Sequence, residues 1–411
     1  MKRRALLAAT LLAAPALAQA SPKLVVIGGG FGGATAARAL HRAGLAVTLV
    51  EPAAEYIACP FSNAVIAGLR DMDSQRFGLD GLRREGIALA RQAATAVDAA
   101  ARRVTLADGT ALAYDRLVMA PGIDLRFDAL PGYDAAAAET MPHAWKAGAQ
   151  TLLLRRQLEA MEDGGLVVVA VPANPYRCPP GPYERASLIA HYLKTRKPRS
   201  KLLVLDAKDV FSKQKLFEQG WAALYPGLLE YVPLSGGGKL TEVDAKAGVL
   251  VTEFGEHRAA VANVIPPQRA GRIAEAAGVT DRSGWCPVDP VSFESRLQPG
   301  IHLIGDAIIA GAMPKSAFAA NAQARVCAEA VLALLRGEAP ATPKLINTCY
   351  SLLAPDYGIS VAGVYQPADG LLTDVPGAGG TSPLEAPASQ RRAEAGYAED
   401  WFRTVTADAF G

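Results

Sequence analysis

Five cysteines are the residues of this 411-residue chain that are best suited to redox chemistry: Cys59, Cys178, Cys286, Cys327 and Cys349. A chain of this length can build a core without disulfide staples. An odd number also leaves at least one cysteine outside any pairing. Both points favour a chemical role over a scaffolding role for some of these residues.

Cys178 and Cys349 each lie in a segment with the character of a loop, Arg177-Cys178-Pro179-Pro180-Gly181 and Asn347-Thr348-Cys349-Tyr350. A disulfide between them would be open to attack by a thiolate or by HS⁻, because thiol–disulfide exchange needs an accessible sulfur. A structural cross-link is the alternative. Glu184 follows Cys178 closely and is either a general acid or base for the sulfurs or a solvated glutamate at a helix start.

The elements that must position these residues begin with a βαβ unit. An apolar strand over Lys23 to Ile27 leads into Gly28, Gly30 and Gly33, which satisfy the pattern G-x-G-x-x-G before an Ala-rich helix. A second strand ends at Glu51. This context is typical of a dinucleotide site, in which glycines let the backbone approach the pyrophosphate and the acidic residue binds the ribose.

Two later segments indicate which dinucleotide binds. A strand runs into a tight turn at Gly122, and another strand ends in Gly305-Asp306. Both resemble the stretches that hold FAD in flavoproteins of the glutathione-reductase type, in which the Asp contacts the ribityl-pyrophosphate region. We therefore expect FAD. Lys315, near a helix start expected at Met313 to Ser316, is either a stabiliser of reduced flavin or a surface lysine.

The middle of the chain lacks a second phosphate-binding turn. The strand Gly165 to Val171 is followed by Pro172-Ala173-Asn174-Pro175, and prolines deny a pyrophosphate the close approach that glycines allow. We expect an α/β fold with two Rossmann-like domains, the second without NAD(P), and a small C-terminal α+β domain. The predicted boundaries are 21–122 with 259–336 for the FAD domain, 123–258 for the second and 337–411 for the third.

Residues 1–20 predict a signal peptide: Lys2, Arg3 and Arg4 precede an apolar stretch that ends in Ala18-Gln19-Ala20. A short membrane anchor is the alternative, and the export route stays open. We expect cleavage near Ala20 and a periplasmic protein. Cleavage changes the net charge from +2 to about −1, which argues against a nucleic-acid partner.

Beyond the signal peptide we expect no segment that spans a membrane and no metal site. The five histidines are scattered, and no Cys/His cluster has metal-ligand spacing. Cys327, among alanines, is expected to act as a small hydrophobe, and Cys286 as a packed thiol. Cys59 is either a buried structural thiol or the donor of a thioether to a flavin methyl group.

The chain resembles the flavoprotein subunit of flavocytochrome c sulfide dehydrogenase, a relative of sulfide:quinone oxidoreductases. The resemblance covers residues 23–411 and rests on the blocks 177–187, 265–271, 284–289, 313–316, 347–351 and 408–411. It implies a thioether from Cys59 to FAD, a redox disulfide of Cys178 with Cys349, and a proton-handling role for Glu184. It also implies sulfide oxidation and a separate c-type cytochrome subunit, because this chain has no C-x-x-C-H for haem.

Three other functions remain open. A quinone-reducing sulfide oxidase would need a hydrophobic entry, and here the last residues are interrupted by charges. An NADH-linked disulfide reductase is opposed by the turn after Val171 and by the lack of C-x₄-C near the first Rossmann unit. A flavin-bearing electron-transfer or sulfur-carrier protein without catalysis is the third.

Overall fold

The computed structural model describes residues 21–411, so the predicted signal peptide lies outside the described residues. The N-terminal part forms the expected βαβ unit and a set of short strands. Its helices are α1 (Phe31–Arg42), α2 (Ser62–Ile66) and α3 (Asp80–Arg84). Its strands are β1 (Lys23–Ile27), β2 (Ala46–Val50), β3 (Glu55–Ile57), β4 (Arg76–Gly78), β5 (Ala88–Ala90), β6 (Ala94–Asp98), β7 (Arg103–Leu106), β8 (Ala111–Ala113), β9 (Arg116–Met119) and β10 (Ile123–Leu125).

The middle part forms a second, four-stranded parallel sheet. The sheet consists of β11 (Leu166–Val171), β12 (Lys201–Asp206), β13 (Leu229–Val232) and β17 (Val261–Val264). Strands β14 (Leu240–Asp244), β15 (Val249–Thr252) and β16 (Gly255–Arg258) of this part form a separate three-stranded antiparallel sheet. Its helices are α4 (Ala149–Ala160), α5 (Gly181–Arg196) and α6 (Gln214–Leu224). The sheet order is β13-β12-β11-β17, and its Val- and Leu-rich strands are buried, as expected of a parallel sheet covered on both faces.

Strand β17 corrects one predicted boundary. It follows residue 258, where the second domain was expected to end, yet it pairs in parallel with β11 from Val167↔Val261 to Ala170↔Val264. The second Rossmann-like unit therefore extends at least to Val264. The sequence alone did not separate this buried strand from the FAD domain, because both units use strands of the same apolar composition.

The chain then returns to the first sheet. This part contains β18 (Gln268–Ala270), β19 (Cys286–Pro287), β20 (Ile301–Leu303), β21 (Ile308–Ile309), α7 (Arg272–Ala276) and α8 (Ala317–Leu335). Strand β20 pairs in parallel with β9 and completes the order β20-β9-β1-β2-β5. A discontinuous FAD domain requires such a return, and its outer boundaries stay predictions.

Helix α8 corrects the expectation that no segment beyond residue 20 has the length and hydropathy of a membrane span. Its 19 residues are long and apolar enough to cross a membrane, but 44% of its most apolar 18-residue stretch is buried inside the protein. Its inner face includes Ala320, Ala324 and Cys327 and packs against α1 and β22. This packing accounts for the apolar character of the helix, since a core helix and a membrane span share that composition.

The C-terminal part is an antiparallel sheet with one long helix. Its elements are β22 (Leu345–Ala354), β23 (Tyr357–Ala368), β24 (Leu371–Asp374), β25 (Gly380–Thr381) and α9 (Ala388–Phe410). Strand β22 packs against α5 and α8, and α9 packs against β23 and α1. The segment between β24 and α9 is a loop that includes the short β25. This part of the chain thus closes against both Rossmann-like units.

Candidate active site

A cavity of about 740 Å³ lies where the first sheet, the turn before α5 and strand β22 meet. Its volume is in the range of cofactor and ligand sites. All of the predicted site residues except Gly33 and Lys315 line it: Gly28, Gly30, Glu51, Cys59, Gly122, Cys178, Glu184, Gly305, Asp306 and Cys349. The fold therefore brings together residues that are as far apart in sequence as Gly28 and Cys349.

The glycine-rich turn at one end of the cavity is shaped by close backbone contacts. Gly28 has a φ of +99°, and a Cβ there would overlap the carbonyl oxygen of Ala120. A Cβ on Gly33 would overlap the carbonyl oxygen of Gly28, so Gly33 serves helix–strand packing rather than the cavity wall. Glu51 accepts hydrogen bonds from the backbone N–H of Gly29 at 2.7 Å and of Ala53 at 2.9 Å. These contacts hold its carboxylate at the cavity edge.

Asp306 has an unpaired buried oxygen in the cavity wall. Its Oδ1 has no hydrogen-bond partner among the described residues. Burial raises the pKa of this carboxyl, and the charges of Arg177 and Lys315 oppose the shift. The ribityl hydroxyls of FAD are donors that this free acceptor could bind. The glycine turn at the N-terminus of α1 offers the backbone N–H groups that a pyrophosphate needs. The residues present thus fit this dinucleotide.

Lys315 lies behind the cavity wall rather than in it. Its Nζ donates to the carbonyl oxygens of Asp306 at 2.9 Å and Ile308 at 2.6 Å, and it lies 3.9 Å from the centre of the Trp285 ring. Burial lowers the pKa of Lys315 to about 8. The helix starts later than expected: Ser316 is the N-cap and accepts from Ala319 N–H, and α8 begins at Ala317.

Cys178 and Cys349 face the same cavity from different elements. Cys178 follows β11 with a left-handed φ of +57°, donates its N–H to the carbonyl of Lys315 and accepts from Gly181 N–H. Cys349 lies in the middle of β22 rather than in the loop expected for it. Burial is the largest cause of the raised pKa of both thiols, and the charge of Cys349 further raises the pKa of Cys178. All five cysteines are free thiols in the structure, so the disulfide stays a prediction.

Glu184 lies in the first turn of α5, between the two cysteines and α2. Its Oε2 accepts from Asn63 Nδ2 at 2.8 Å and its Oε1 from the N–H of Leu352 at 2.9 Å. Burial raises the pKa of this carboxyl although both hydrogen bonds oppose the shift. Protein donors thus hold both carboxylate oxygens, unlike those of a freely solvated helix-start glutamate.

Cys59 lines the same cavity, near Arg177. Its Sγ is 3.8 Å from the carbonyl oxygen of Trp145, which also accepts a hydrogen bond from the guanidinium of Arg177. Arg177 lines the cavity as well and faces Asp306 and Cys178. The two cysteines outside the cavity, Cys286 and Cys327, are fully buried, which agrees with the packing roles expected for them.

Three residues that sequence reasoning did not single out hold the site together. Arg185 is 2% exposed and donates to Asn63 Oδ1, to Asn263 Oδ1 and to the carbonyls of His143 and Ala144. Asn63 connects this arginine to Glu184. Lys213, in the turn before α6, donates to the carbonyl oxygen of Cys349 and to Ser351 Oγ. Arg185 falls within the block 177–187 noted above, whereas no sequence signal singled out Asn63 or distinguished Lys213 from a surface lysine.

Comparisons with known proteins agree with this architecture. Residues 22–163 match the pyridine nucleotide-disulphide oxidoreductase family. The sulfide:quinone oxidoreductase of Aquifex aeolicus superposes with a TM-score of 0.74 at 16% identity, over 94% of this chain and 92% of that one. At that identity the likeness concerns the fold alone. Fold and site together define an FAD-dependent oxidoreductase of the class with two dinucleotide-binding domains, as predicted.

More specific matches follow from the rest of the chain. Residues 151–266 match the central domain of the sulfide dehydrogenase [flavocytochrome c] flavoprotein chain, and residues 341–410 match the flavin-binding domain of flavocytochrome c sulphide dehydrogenase. A flavoprotein chain of that name from Chlorobaculum thiosulfatiphilum is 53% identical over 45 residues, which are 10% of this chain and 94% of the relative. This chain belongs to the family of flavocytochrome c sulfide dehydrogenase flavoprotein chains.

A further relative matches less than half of the chain. The probable ferredoxin reductase CtmF of Castellaniella defragrans is 31% identical over 162 residues. The match spans 38% of this chain and 40% of that protein.

Proposed function

We propose that this chain oxidises sulfide at a redox disulfide between Cys178 and Cys349 and passes the electrons through FAD to a c-type cytochrome subunit. The main support is that two cysteines from distant parts of the chain line one cavity with the glycine-rich turn and Asp306. The family to which the chain belongs agrees with sulfide as the substrate.

The chemistry at the cysteine pair is thiol–disulfide exchange. HS⁻ attacks one sulfur, the S–S bond breaks, and the products are a persulfide on one cysteine and a thiolate on the other. Glu184 is positioned by Asn63 and Leu352 to take up or return the proton of the incoming sulfur. The zero-valent sulfur leaves as a persulfide or polysulfide.

The cofactor would be held by the residues that line the cavity. Gly28, Gly30 and Glu51 would bind the adenosine and pyrophosphate part, and Gly122, Gly305 and Asp306 the ribityl part. Cys59 would form a thioether to the flavin. All seven residues line the one cavity. Lys315 supplies positive charge behind Asp306. When bound, FAD accepts electrons from the cysteine pair and releases them singly, which suits a haem acceptor.

We propose that the second Rossmann-like unit binds no NAD(P). Asp206 is the last residue of β12, the position at which an acidic residue binds the ribose in a dinucleotide site. Here it accepts hydrogen bonds from Tyr183 Oη at 2.6 Å and Lys208 Nζ at 2.6 Å. The Tyr183 ring stacks on Phe211 with centroids 3.5 Å apart. These side chains fill the space beside the carboxylate, so the electron donor is proposed to be sulfide rather than NADH.

The proposed compartment is the periplasm, and the proposed partner is a separate c-type cytochrome. The composition of residues 1–20 supports export, and the lack of C-x-x-C-H supports a haem on another chain. Among the described residues no cluster of three His, Cys, Asp or Glu is arranged to hold a metal ion. Quinone reduction is the alternative, given the structural likeness to the Aquifex aeolicus enzyme.

The test is anaerobic titration of the purified, flavin-loaded protein while its flavin absorbance is recorded. We expect stoichiometric sulfide to bleach the flavin and NADH to leave it unchanged. Oxidised soluble cytochrome c should then restore the flavin spectrum, and decylubiquinone in detergent should not. An unchanged spectrum with sulfide would contradict the proposed function. Reoxidation by the quinone alone would assign the chain to the quinone-reducing class.

The proposed thioether has its own expected result. In acid-precipitated wild-type protein the flavin should stay with the pellet, whereas Cys59→Ala should release essentially all of it into the supernatant. The reason is that Cys59 is the sulfur proposed to bond the flavin from the wall beside Trp145. Cys178→Ala is the matched control, because it removes a cavity thiol and should leave the flavin bound. Free flavin from the wild-type protein would contradict the thioether.

A further inference from the structure

Lys213 is a buried lysine beside the cysteine pair. It lies at the N-terminus of α6 with a left-handed φ of +63°, and only 8% of it is exposed. Its Nζ donates to the carbonyl oxygen of Cys349 at 3.0 Å and to Ser351 Oγ at 2.7 Å. Both partners are neutral. Burying an ammonium and holding a non-glycine residue at positive φ are each unfavourable, and such features concentrate at functional sites.

The charge of Lys213 is not neutralised by a bonded carboxylate. In residues 21–411 its ammonium forms no salt bridge, whereas Lys208, five residues earlier, pairs with Asp206 at 2.6 Å. Lys208 therefore has a bonded carboxylate, whereas the nearby Lys213 has none. A buried ammonium that hydrogen-bonds only to neutral groups is complementary to negative charge that appears nearby during a reaction.

The groups around Lys213 indicate where that negative charge appears. Burial lowers the pKa of the lysine, and of its neighbours the thiol of Cys349 has the largest opposing effect. Lys213 is in turn the main influence that lowers the pKa of Cys349 against burial. The ionisable and polar groups facing this pair from the surrounding elements are Cys178, Glu184, Asn347, Tyr365 and Glu394.

We propose that Lys213 is a positioning residue that stabilises a thiolate on Cys349 and thereby directs HS⁻ to Cys178. This inference rests on the proposed redox disulfide. The sulfur of HS⁻ bonds to Cys178 Sγ, the S–S bond breaks, and its electron pair stays on Cys349 Sγ. The products are Cys178–S–SH and the Cys349 thiolate, so atoms and charge balance. The lysine donates no proton and acts through the thiolate that it stabilises.

The first experiment measures the charge effect without any turnover. In flavin-loaded protein with Cys178→Ser, the rate of iodoacetamide alkylation at Cys349 is followed against pH by mass spectrometry of its peptide. Because the thiolate is the nucleophile, the midpoint reports the pKa of Cys349. We expect Lys213→Met and Lys213→Gln to raise the midpoint by about one unit. The rate below the midpoint should then fall about tenfold.

Two further variants separate charge from structure. Lys213→Arg keeps the charge and should keep the midpoint, and Lys215→Met, on the exposed side of the same helix, should leave it unchanged. If one charge-free variant does not accumulate, the other gives the comparison. An unchanged midpoint in the charge-free variants would overturn the proposal. An equal shift in Lys213→Arg would also overturn it, because it would show a packing role.

The second experiment tests the direction of attack. Wild-type protein is exposed briefly to one equivalent of sulfide, alkylated and digested, and the persulfide is located by mass spectrometry. We expect it on Cys178, and a persulfide on Cys349 would overturn the assignment. If neither cysteine gains sulfur, the proposed function fails. The alkylation result would still decide whether Lys213 stabilises the Cys349 thiolate, so the two failures are distinguishable.

Discussion

Alanine at either Cys178 or Cys349 should lower the rate of sulfide-dependent flavin bleaching by at least about a thousandfold, since each substitution removes the S–S bond that HS⁻ attacks. Both residues line the cavity, and neither belongs to the buried core of a Rossmann-like sheet. The variants should therefore fold and retain flavin. Stopped-flow absorbance of the flavin after anaerobic mixing with sulfide gives the rate.

Cys327→Ala is the matched control for the cysteine pair. Cys327 is fully buried in α8 among alanines and outside the cavity, so its removal should leave the bleaching rate within about twofold of the wild-type rate. Bleaching at the wild-type rate in Cys178→Ala or Cys349→Ala would mean that sulfide reacts elsewhere, and the redox disulfide would have to be abandoned.

The second large effect is expected from Gly28→Ala. The backbone of Gly28 has a φ of +99°, which an alanine rarely adopts, and the added Cβ would overlap the carbonyl oxygen of Ala120. Strain and overlap together should cost about 3 kcal/mol or more. If the strain is relieved only when FAD is absent, the noncovalent affinity for FAD weakens about a hundredfold. The ratio of flavin to protein absorbance and the Tm measure the two consequences.

Gly396→Ala is the control for that substitution. Gly396 lies inside α9, and a Cβ there would meet no neighbouring atom within 4 Å. Alanine is the better helix former, so this variant should be equal to or up to about 1 kcal/mol more stable than the wild type, with full flavin content. Normal flavin content in Gly28→Ala would show that the turn shifts at little cost and would contradict the expected strain.

The sequence predicted the parts of the site that depend on local rules. Gly28, Gly30, Gly33 and Glu51 are related by a short spacing that a βαβ unit imposes. Strand β1 has the expected bounds, and β2 ends one residue before Glu51. Asp306 was recognised because it follows a strand directly. In each case the backbone around the residue fixes where the residue lies.

The direction of long side chains could not be predicted in the same way. Lys315 was expected near the flavin, but its ammonium turns back to two carbonyl oxygens and the Trp285 ring. Lys213 and Arg185 are buried by elements that are distant in sequence, β22 in one case and α2 with β17 in the other. Burial of a charged side chain depends on tertiary packing, which local composition does not encode.

The apolar composition of α8 illustrates the same limit. Its sequence meets the length and hydropathy of a membrane span, and only its packing against α1 and β22 shows a core helix. The boundary near residue 258 failed for a related reason, because β17 has no local feature that assigns it to one sheet rather than the other. Both cases needed knowledge of the neighbouring element.

The cavity wall includes residues from Ile27 to Trp401, and β20 completes a sheet that β1 began. On the ribosome, N-terminal segments emerge and begin to fold first. The first Rossmann unit would emerge with its central sheet unfinished until β20 (Ile301–Leu303) is synthesised, and its cavity would stay open until Trp401 is synthesised. Enclosure of the flavin is therefore a late event in biogenesis, and cofactor supply must be available where the finished chain folds.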